Sequence, residues 1–207
     1  KHEPFAPMPE GFRHVARDDV AALEGALDPS VAAIHLEPVQ GEGGVWPNSQ
    51  EFMTAARALA DERQLLLMLD EVQSGLCRTG KWFAVDNWNV APDMITMAKG
   101  ITSGYMPLGA VVVSKRIAEH FEDHTFWSGL TASNHPISCA AALATLRVYQ
   151  QEKLLENTRR MESVTAQGLD TLKARHPAAG DVRGLGLFWI IELVKDQDTR
   201  VPLVPWN

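Results

Sequence analysis

Residues 31–75 of the chain read VAAIHLEPVQGEGGVWPNSQEFMTAARALADERQLLLMLDEVQSG. Two short apolar runs, residues 31–36 and 65–69, are typical of strands that are buried on both faces of a sheet. Between them, residues 50–63 carry apolar side chains at the three- and four-residue spacing of an amphipathic helix. The segment therefore predicts a strand, a helix and a second strand, which is the unit from which parallel sheets are built.

The segments that follow extend this pattern. Residues 94–98 and 109–114 are two more short apolar runs, separated by turn-forming residues, and they predict two further strands. Residues 136–175 carry apolar side chains at helical spacing and predict two helices. Residues 182–193 then return to strand character. Together these elements predict an α/β fold with a mainly parallel sheet.

The change of texture near residue 150 indicates two domains. We expect residues 1–150 to form part of a large domain, and residues 151–207 to form a linker helix and the start of a small α+β domain. Because the chain opens on Lys1 and stops soon after the last predicted strand, we expect it to be cut from a longer polypeptide.

The amino-acid composition and net charge of the chain argue against nucleic acid and membranes as binding partners. The chain has 207 residues, of which 45% are hydrophobic and 22% charged, as in ordinary globular domains. Its net charge of −7 is unfavourable for binding nucleic acid or anionic lipid, and its longest apolar runs are far shorter than the roughly 18 residues that span a bilayer. Two cysteines without CxxC spacing favour a reducing, cytoplasmic location. We therefore expect small-molecule partners, with no nucleic acid and no membrane.

Polar side chains follow three of the predicted strands directly. Glu37 follows the first strand, Asp70 and Glu71 follow the second, and Lys99 follows the third. Since ligands of parallel sheets bind at the carboxyl ends of the strands, one crevice is expected to hold Glu37, Asp70 and Lys99. Each residue taken singly is also explained as the first solvated position after a buried strand. A glycine-rich turn follows each of these residues, and this favours a shared ligand-binding site over three unrelated strand ends.

An amine and a carboxylate in one pocket suit pyridoxal 5′-phosphate (PLP). A partly desolvated lysine forms a Schiff base with an aldehyde, and a buried carboxylate keeps a ring nitrogen protonated. Residues 131–136, TASNHP, predict a helix start with Asn134 as N-cap and hydroxyl groups before it, which suits a phosphate. An ordinary capped helix explains the same residues.

A metal site is not expected. His120 and His124 lie one helical turn apart, but the HExxH order of a zinc motif is missing, and two histidines on a solvated helix explain the spacing.

Four ordered motifs resemble the class III aminotransferases, which are PLP enzymes of fold type I. The motifs are EPVQGEGGV (37–45), LDEVQSGLCRTG (69–80), PDMITMAKGITSGYMPLGA (92–110) and TASNHPISCAAALA (131–144). The early part is most similar to acetylornithine and ornithine aminotransferases, and the part after Gly100 to the group that acts on ω-amino acids or taurine with pyruvate.

The resemblance implies a role for each matching residue in the cofactor site. Lys99 would be the lysine that binds PLP covalently and then moves a proton on the substrate. Asp70 would pair with the pyridinium nitrogen, Val72 would pack on the ring face, and Gln73 would hydrogen-bond the 3′ oxygen. Thr131 would reach the phosphate held by the neighbouring subunit, so the family implies a homodimer with shared active sites.

The resemblance also implies the reaction. We expect amino-group transfer from an amino acid, with an ω-amino donor favoured, to a 2-oxo acid such as pyruvate or 2-oxoglutarate. Glu37 matches a substrate-binding glutamate that in some members pairs with a C-terminal arginine. PLP aminomutase chemistry, a decarboxylating transaminase and a non-catalytic structural fragment remain alternatives. Because the N-terminal region and C-terminal tail of the family are missing, we expect this segment alone to be inactive.

Overall fold

The computed structural model describes residues 3–204 of the chain. Within these residues the strands are β1 (Ala33–Leu36), β2 (Val39–Gln40), β3 (Trp46–Pro47), β4 (Leu66–Asp70), β5 (Met94–Met97), β6 (Ala110–Val113), β7 (Ala179–Leu185) and β8 (Phe188–Leu193). The α-helices are α1 (Val20–Ala26), α2 (Gln50–Glu62), α3 (Lys115–Asp123), α4 (Pro136–Gln151) and α5 (Leu154–Arg175). Short 3-10 helices cover Glu3–Phe5, Ala84–Asn87 and Lys99–Ile101.

A four-stranded sheet with the order β1-β4-β5-β6 forms the centre of the fold. β1 pairs with β4 and β4 pairs with β5 in parallel, so the prediction of a mainly parallel α/β sheet is confirmed. β6 runs antiparallel to β5. The segment between them, residues 98–109, contains a 3-10 turn but no α-helix, so it lacks the helical crossover that usually joins parallel neighbours.

The strand character predicted over residues 182–193 belongs to two strands of a hairpin: this range holds the end of β7, the turn and all of β8. β7 and β8 pair antiparallel, and the chain reverses between them at Gly186, whose φ of 63° is strained for side chains other than glycine. The division into residues 1–150 and 151–207 stays a prediction, and residues 1–2 and 205–207 of it lie outside the described residues.

Helix α2 covers one face of the sheet. Its N-cap is Ser49, whose hydroxyl accepts a hydrogen bond of 3.0 Å from the Phe52 amide. The buried face of the helix carries Phe52, Met53, Ala56, Leu59 and Ala60. These side chains share one apolar cluster with Leu67 and Leu69, which are both fully buried on β4. The helix is therefore held by its apolar stripe, as its spacing predicts.

A buried carboxylate ties the amino ends of β4 and β5 together. Asp93 accepts hydrogen bonds from the Leu67 amide at 2.9 Å, from Arg57 at 3.0 Å and from Arg116 at 2.9 Å. Burial alone would raise the pKa of Asp93, but these three donors hold it below its usual range. Asp93 thereby joins α2, β4 and the segment that follows β6.

We expect Asp93→Ala to lower the free energy of unfolding by about 3 kcal/mol, because it leaves the largely buried Arg57 guanidinium without its buried counter-ion. Urea unfolding of the purified protein, followed by circular dichroism, measures this. Asp61→Ala is the matched control: Asp61 pairs with the same arginine at 2.7 Å but its side chain is 68% exposed, so we expect a loss below about 1 kcal/mol. Equal losses in the two variants would contradict the role given to Asp93.

Candidate active site

The register of the parallel strands places the predicted site residues at one edge of the sheet. Leu36 lies opposite Leu69, so Glu37 leaves β1 level with Asp70 at the end of β4. Asp70 in turn lies opposite Thr96, three residues before Lys99. Because parallel strands end in the same direction, the sheet delivers two carboxylates and an amine to its carboxyl edge.

Asp70 is oriented by the turn that follows it. Its Oδ1 accepts a hydrogen bond of 2.9 Å from the Val72 amide, which fixes the half-buried carboxyl group at the end of the strand. Val72 and Gln73 continue this turn, and both are half-buried. The second carboxylate oxygen of Asp70 has no protein partner among the described residues, so it is available to a ligand.

Glu71, beside Asp70, holds the turn in place. Its side chain is 1% exposed and accepts hydrogen bonds from the Ser74 hydroxyl at 2.7 Å, the Ala84 amide at 2.9 Å and the Val85 amide at 2.8 Å. Burial raises the pKa of this carboxyl group, and the three donors oppose that shift. Sequence reasoning did not assign this role. No local signal indicates it, because two of the donors come from a segment more than ten residues further along the chain.

Lys99 opens a tight turn directly after β5. Its φ of 44° lies in the left-handed region, where a non-glycine residue is strained, and such strain is concentrated at functional sites. Lys99 is exposed, and within residues 3–204 its side-chain amine makes no hydrogen bond or ion pair, while its carbonyl oxygen accepts a hydrogen bond of 3.4 Å from the Thr102 amide. The turn itself is firmly supported, since Gly100 lies where an added Cβ would come within 3.2 Å of Leu76 and Tyr149. The amine is therefore free while its backbone is held.

Glu37 begins a loop that packs against Gln73. Its Oε2 accepts a hydrogen bond of 2.8 Å from the Gly41 amide, and Asn48 Nδ2 donates to its carbonyl oxygen at 2.8 Å. Gly41 lies so close to Gln73 that an added Cβ would come within 2.6 Å of Gln73 Oε1. Glu37 and Gln73 thus both contact Gly41 from two different turns, a proximity that the sequence did not indicate.

The structure does not bring Thr131 to the other predicted residues. Thr131 is exposed in the turn that precedes α4. The expected N-cap, Asn134, is wrong: α4 begins at Pro136, its N-cap is His135, and Asn134 has a φ of 55°. Proline at the first helical position keeps the preceding residue out of the helical region, so the boundary falls at His135.

The groove and the histidine pair found elsewhere on the protein contain none of the predicted cofactor and substrate residues. An open groove of about 1170 Å³, lined by Arg57, Asp93 and Ser114 among others, lies at the opposite edge of the sheet and contains none of them. The His120 and His124 rings stack at 4.1 Å, and within residues 3–204 no group of three potential metal ligands is present. No described helix is both long and apolar enough to cross a bilayer.

The donor set suits a PLP-type cofactor. A free amine on Lys99, a carboxylate with one unpartnered oxygen on Asp70 and an amide on Gln73 all lie on turns after the strand ends. An amine forms a covalent bond with an aldehyde, a carboxylate stabilises a protonated ring nitrogen, and an amide hydrogen-bonds a ring oxygen.

Comparison with known proteins supports this interpretation. Residues 3–205 match the family described as aminotransferase class III. The acetylornithine aminotransferase of Methanothermobacter thermautotrophicus is 44% identical over 193 residues, which are 92% of this chain and 48% of that protein. The chain thus spans about half the length of this curated relative.

Solved structures agree. The taurine:2-oxoglutarate aminotransferase of Bifidobacterium kashiwanohense, in complex with PLP and glutamate, matches with a TM-score of 0.86 and 40% identity over 91% of this chain and 43% of that one. An (S)-enantioselective omega-transaminase from Thermomicrobium roseum matches with a TM-score of 0.90 and 38% identity over 98% of this chain and 50% of that one. The fold is that of fold type I transaminases, and the chain belongs to the class III aminotransferase family.

Proposed function

We propose that the protein is a PLP-dependent aminotransferase that transfers an amino group from an amino acid, with ω-amino donors favoured, to a 2-oxo acid such as pyruvate or 2-oxoglutarate. The observation that carries this proposal is the delivery of Lys99 and Asp70 to one edge by two parallel strands in register. Membership in the family supports the reaction class. Two of the similar proteins, named as taurine and omega-transaminases, support the ω-amino donor.

The cofactor, when bound, supplies an electron sink for the bond-breaking at the substrate carbon. Lys99 Nζ would anchor the cofactor and then take the proton from the amine-bearing carbon of the substrate. Asp70 would keep the ring nitrogen protonated, and its hydrogen bond from Val72 holds the carboxylate for that purpose. Val72 would pack on the ring face, and Gln73 would donate to the ring oxygen.

Glu37 is proposed as a substrate-binding residue. Its carboxylate lies on the same edge as Lys99 and is held by the Gly41 amide. A carboxylate in this position would pair with a cationic group, either on the substrate or on another part of the protein. Glu37 would therefore contribute to the choice between substrates rather than to the transfer itself.

The cysteines support a reducing, cytoplasmic location, which we propose for the protein. Both Cys77 and Cys139 are free. Burial raises the pKa of the Cys77 thiol to about 11, with Glu156 adding to the shift, so this cysteine is packed and unreactive.

In the full-length enzyme, we expect Lys99→Ala to abolish covalent attachment of PLP and to lower transamination by at least about a thousandfold, because the amine is both anchor and proton carrier. Borohydride reduction followed by peptide mass spectrometry reads the attachment separately from turnover. Lys115→Ala is the control: Lys115 is also exposed, lies on α3 and pairs with Glu119 at 3.3 Å. Attachment at another lysine, or turnover retained in Lys99→Ala, would contradict the assignment.

Asp70→Asn tests the partner of the ring nitrogen. The amide oxygen still accepts the Val72 hydrogen bond, so the turn is kept while the charge is lost. We expect turnover to fall by about a hundredfold or more, with PLP affinity falling less, measured by steady-state kinetics and by titration of the cofactor's visible absorption. Asp170→Asn, an exposed change on α5, should match the parent. Turnover of Asp70→Asn within about threefold of the parent would show that Asp70 only terminates a strand.

An exposed apolar patch around Thr131 supports a homodimer with shared active sites. The patch consists of Phe126, Trp127, Leu130 and Ile137, which are 65%, 92%, 78% and 60% exposed. Large apolar side chains this exposed, four of them within twelve residues of the chain, support an interaction site. We propose that a second copy of the protein covers the patch, which would bring Thr131 to the phosphate of the partner's cofactor.

Trp127→Asp is expected to convert this dimer to monomer, because it places a charge in the middle of the apolar contact. Light scattering coupled to size-exclusion chromatography gives the molar mass. Val164→Asp, which changes a 57% exposed residue on α5, should leave the dimer intact. If the parent protein is already monomeric, or if Trp127→Asp keeps the dimer mass, the proposed interface is wrong.

A further inference from the structure

We propose that Arg183 is a positioning residue for the candidate active site: from the β7–β8 hairpin it holds the loop of residues 37–46 in the shape that presents Glu37 and Gln73. The role in substrate binding rests on the proposed function. The mechanical link itself rests only on contacts among the described residues.

Arg183 contacts the C-terminal end of the 37–46 loop at two residues, Gly44 and Trp46. Its Nε donates a hydrogen bond of 2.7 Å to the carbonyl oxygen of Gly44, a residue 139 positions earlier in the chain. Its guanidinium also lies over the Trp46 ring, 3.5 Å from the ring centroid. A planar guanidinium makes this combination of directed hydrogen bond and stacking, whereas an ammonium group does not.

Glycine is required where the arginine meets the loop. Gly44 has a φ of 120°, and an added Cβ would lie 2.8 Å from an Arg183 nitrogen and 3.0 Å from Trp46 Nε1. The backbone can approach the guanidinium only because this position has no side chain. The contact between Arg183 and the loop therefore requires glycine at position 44.

The hold on Gly44 reaches Glu37 through the loop backbone. The Gly44 and Val45 amides both donate to the Gly41 carbonyl oxygen, at 3.0 and 2.9 Å. The Gly41 amide donates to the Glu37 carboxylate at 2.8 Å, and Gly41 is also the residue against which Gln73 packs. Three consecutive hydrogen-bonded steps thus connect Arg183 to Glu37, and the packing of Gln73 against Gly41 connects it to the second candidate site residue.

Arg183 is itself fixed by carboxylates on the hairpin. Its Nη1 pairs with Asp181 at 2.9 Å and with Glu192 at 2.7 Å, and its side chain is only 13% exposed. Burial alone would raise the pKa of Asp181, but hydrogen bonds from Lys173 and Arg183 lower it to about 2. Asp181 therefore stays ionised at neutral pH, and the arginine is held where it can support the loop.

Hydrogen exchange measured by mass spectrometry on the peptide covering residues 37–46 tests the link without reference to activity. We expect Arg183→Gln to raise the exchange of the Gly41, Gly44 and Val45 amides by about tenfold, and Arg183→Lys to restore little of the protection. In kinetic assays, the KM for one substrate should rise by about tenfold, while kcat at saturation stays within about threefold.

Arg200→Gln is the matched control, because Arg200 contacts the same Asp181 and Glu192, each at 3.4 Å, but does not touch the loop. It should leave loop exchange and KM unchanged. Trp46→Leu removes the stacked ring and keeps the hairpin carboxylates, so it should loosen the same amides even if the Arg183 variants do not fold.

Unchanged loop exchange in both Arg183→Gln and Trp46→Leu would overturn the proposal, as would equal loosening in Arg200→Gln. Increased loop exchange with a KM that does not change would overturn the role in substrate binding. If the Arg183→Gln and Trp46→Leu variants show increased loop exchange but the full-length parent protein has no transaminase activity, the proposed function is refuted and the mechanical link stands.

Discussion

Parallel hydrogen bonding between β1, β4 and β5 is the constraint on which the candidate site depends. The register that pairs Leu36 with Leu69, and Asp70 with Thr96, leaves no freedom in where the three strands end. The residues that follow the strands must therefore leave the sheet at one edge. A slip of one residue would move the whole apolar set of a strand to the opposite face, so the buried core protects this register.

Two buried carboxylates hold the two ends of this sheet by different electrostatics. Asp93, at the amino ends, is paired with Arg57 and Arg116, and its pKa is lowered. Glu71, at the carboxyl ends, is bound by a hydroxyl and two backbone amides without a cation, and burial raises its pKa. The first is an ion-pair clamp between elements, whereas the second shapes a turn by neutral donors. The turn shaped by Glu71 is the one that carries the candidate cofactor residues.

The C-terminal hairpin contributes to the same edge from a distance. Arg183 contacts Gly44 and Trp46. Gly186, at the tip of the hairpin, lies against Arg78 and Thr79, which follow the turn that carries Asp70 and Gln73. The hairpin therefore touches two of the segments that form the site. A change in its packing would be transmitted to Glu37 through backbone hydrogen bonds, which provides a physical route from the last strands of the chain to substrate binding.

The apolar pattern of residues 31–75 was sufficient to predict the strand-helix-strand unit, because burial on one or two faces is recorded in local spacing. The same reasoning placed Glu37, Asp70 and Lys99 at one edge, since parallel strands share a direction. Only the tertiary structure decided that β6 runs antiparallel, that residues 179–193 form a hairpin, and that Arg183 supports the 37–46 loop. These features depend on contacts between residues far apart in the chain. Such contacts produce no periodic pattern of apolar residues in the local sequence, so a local reading does not predict them.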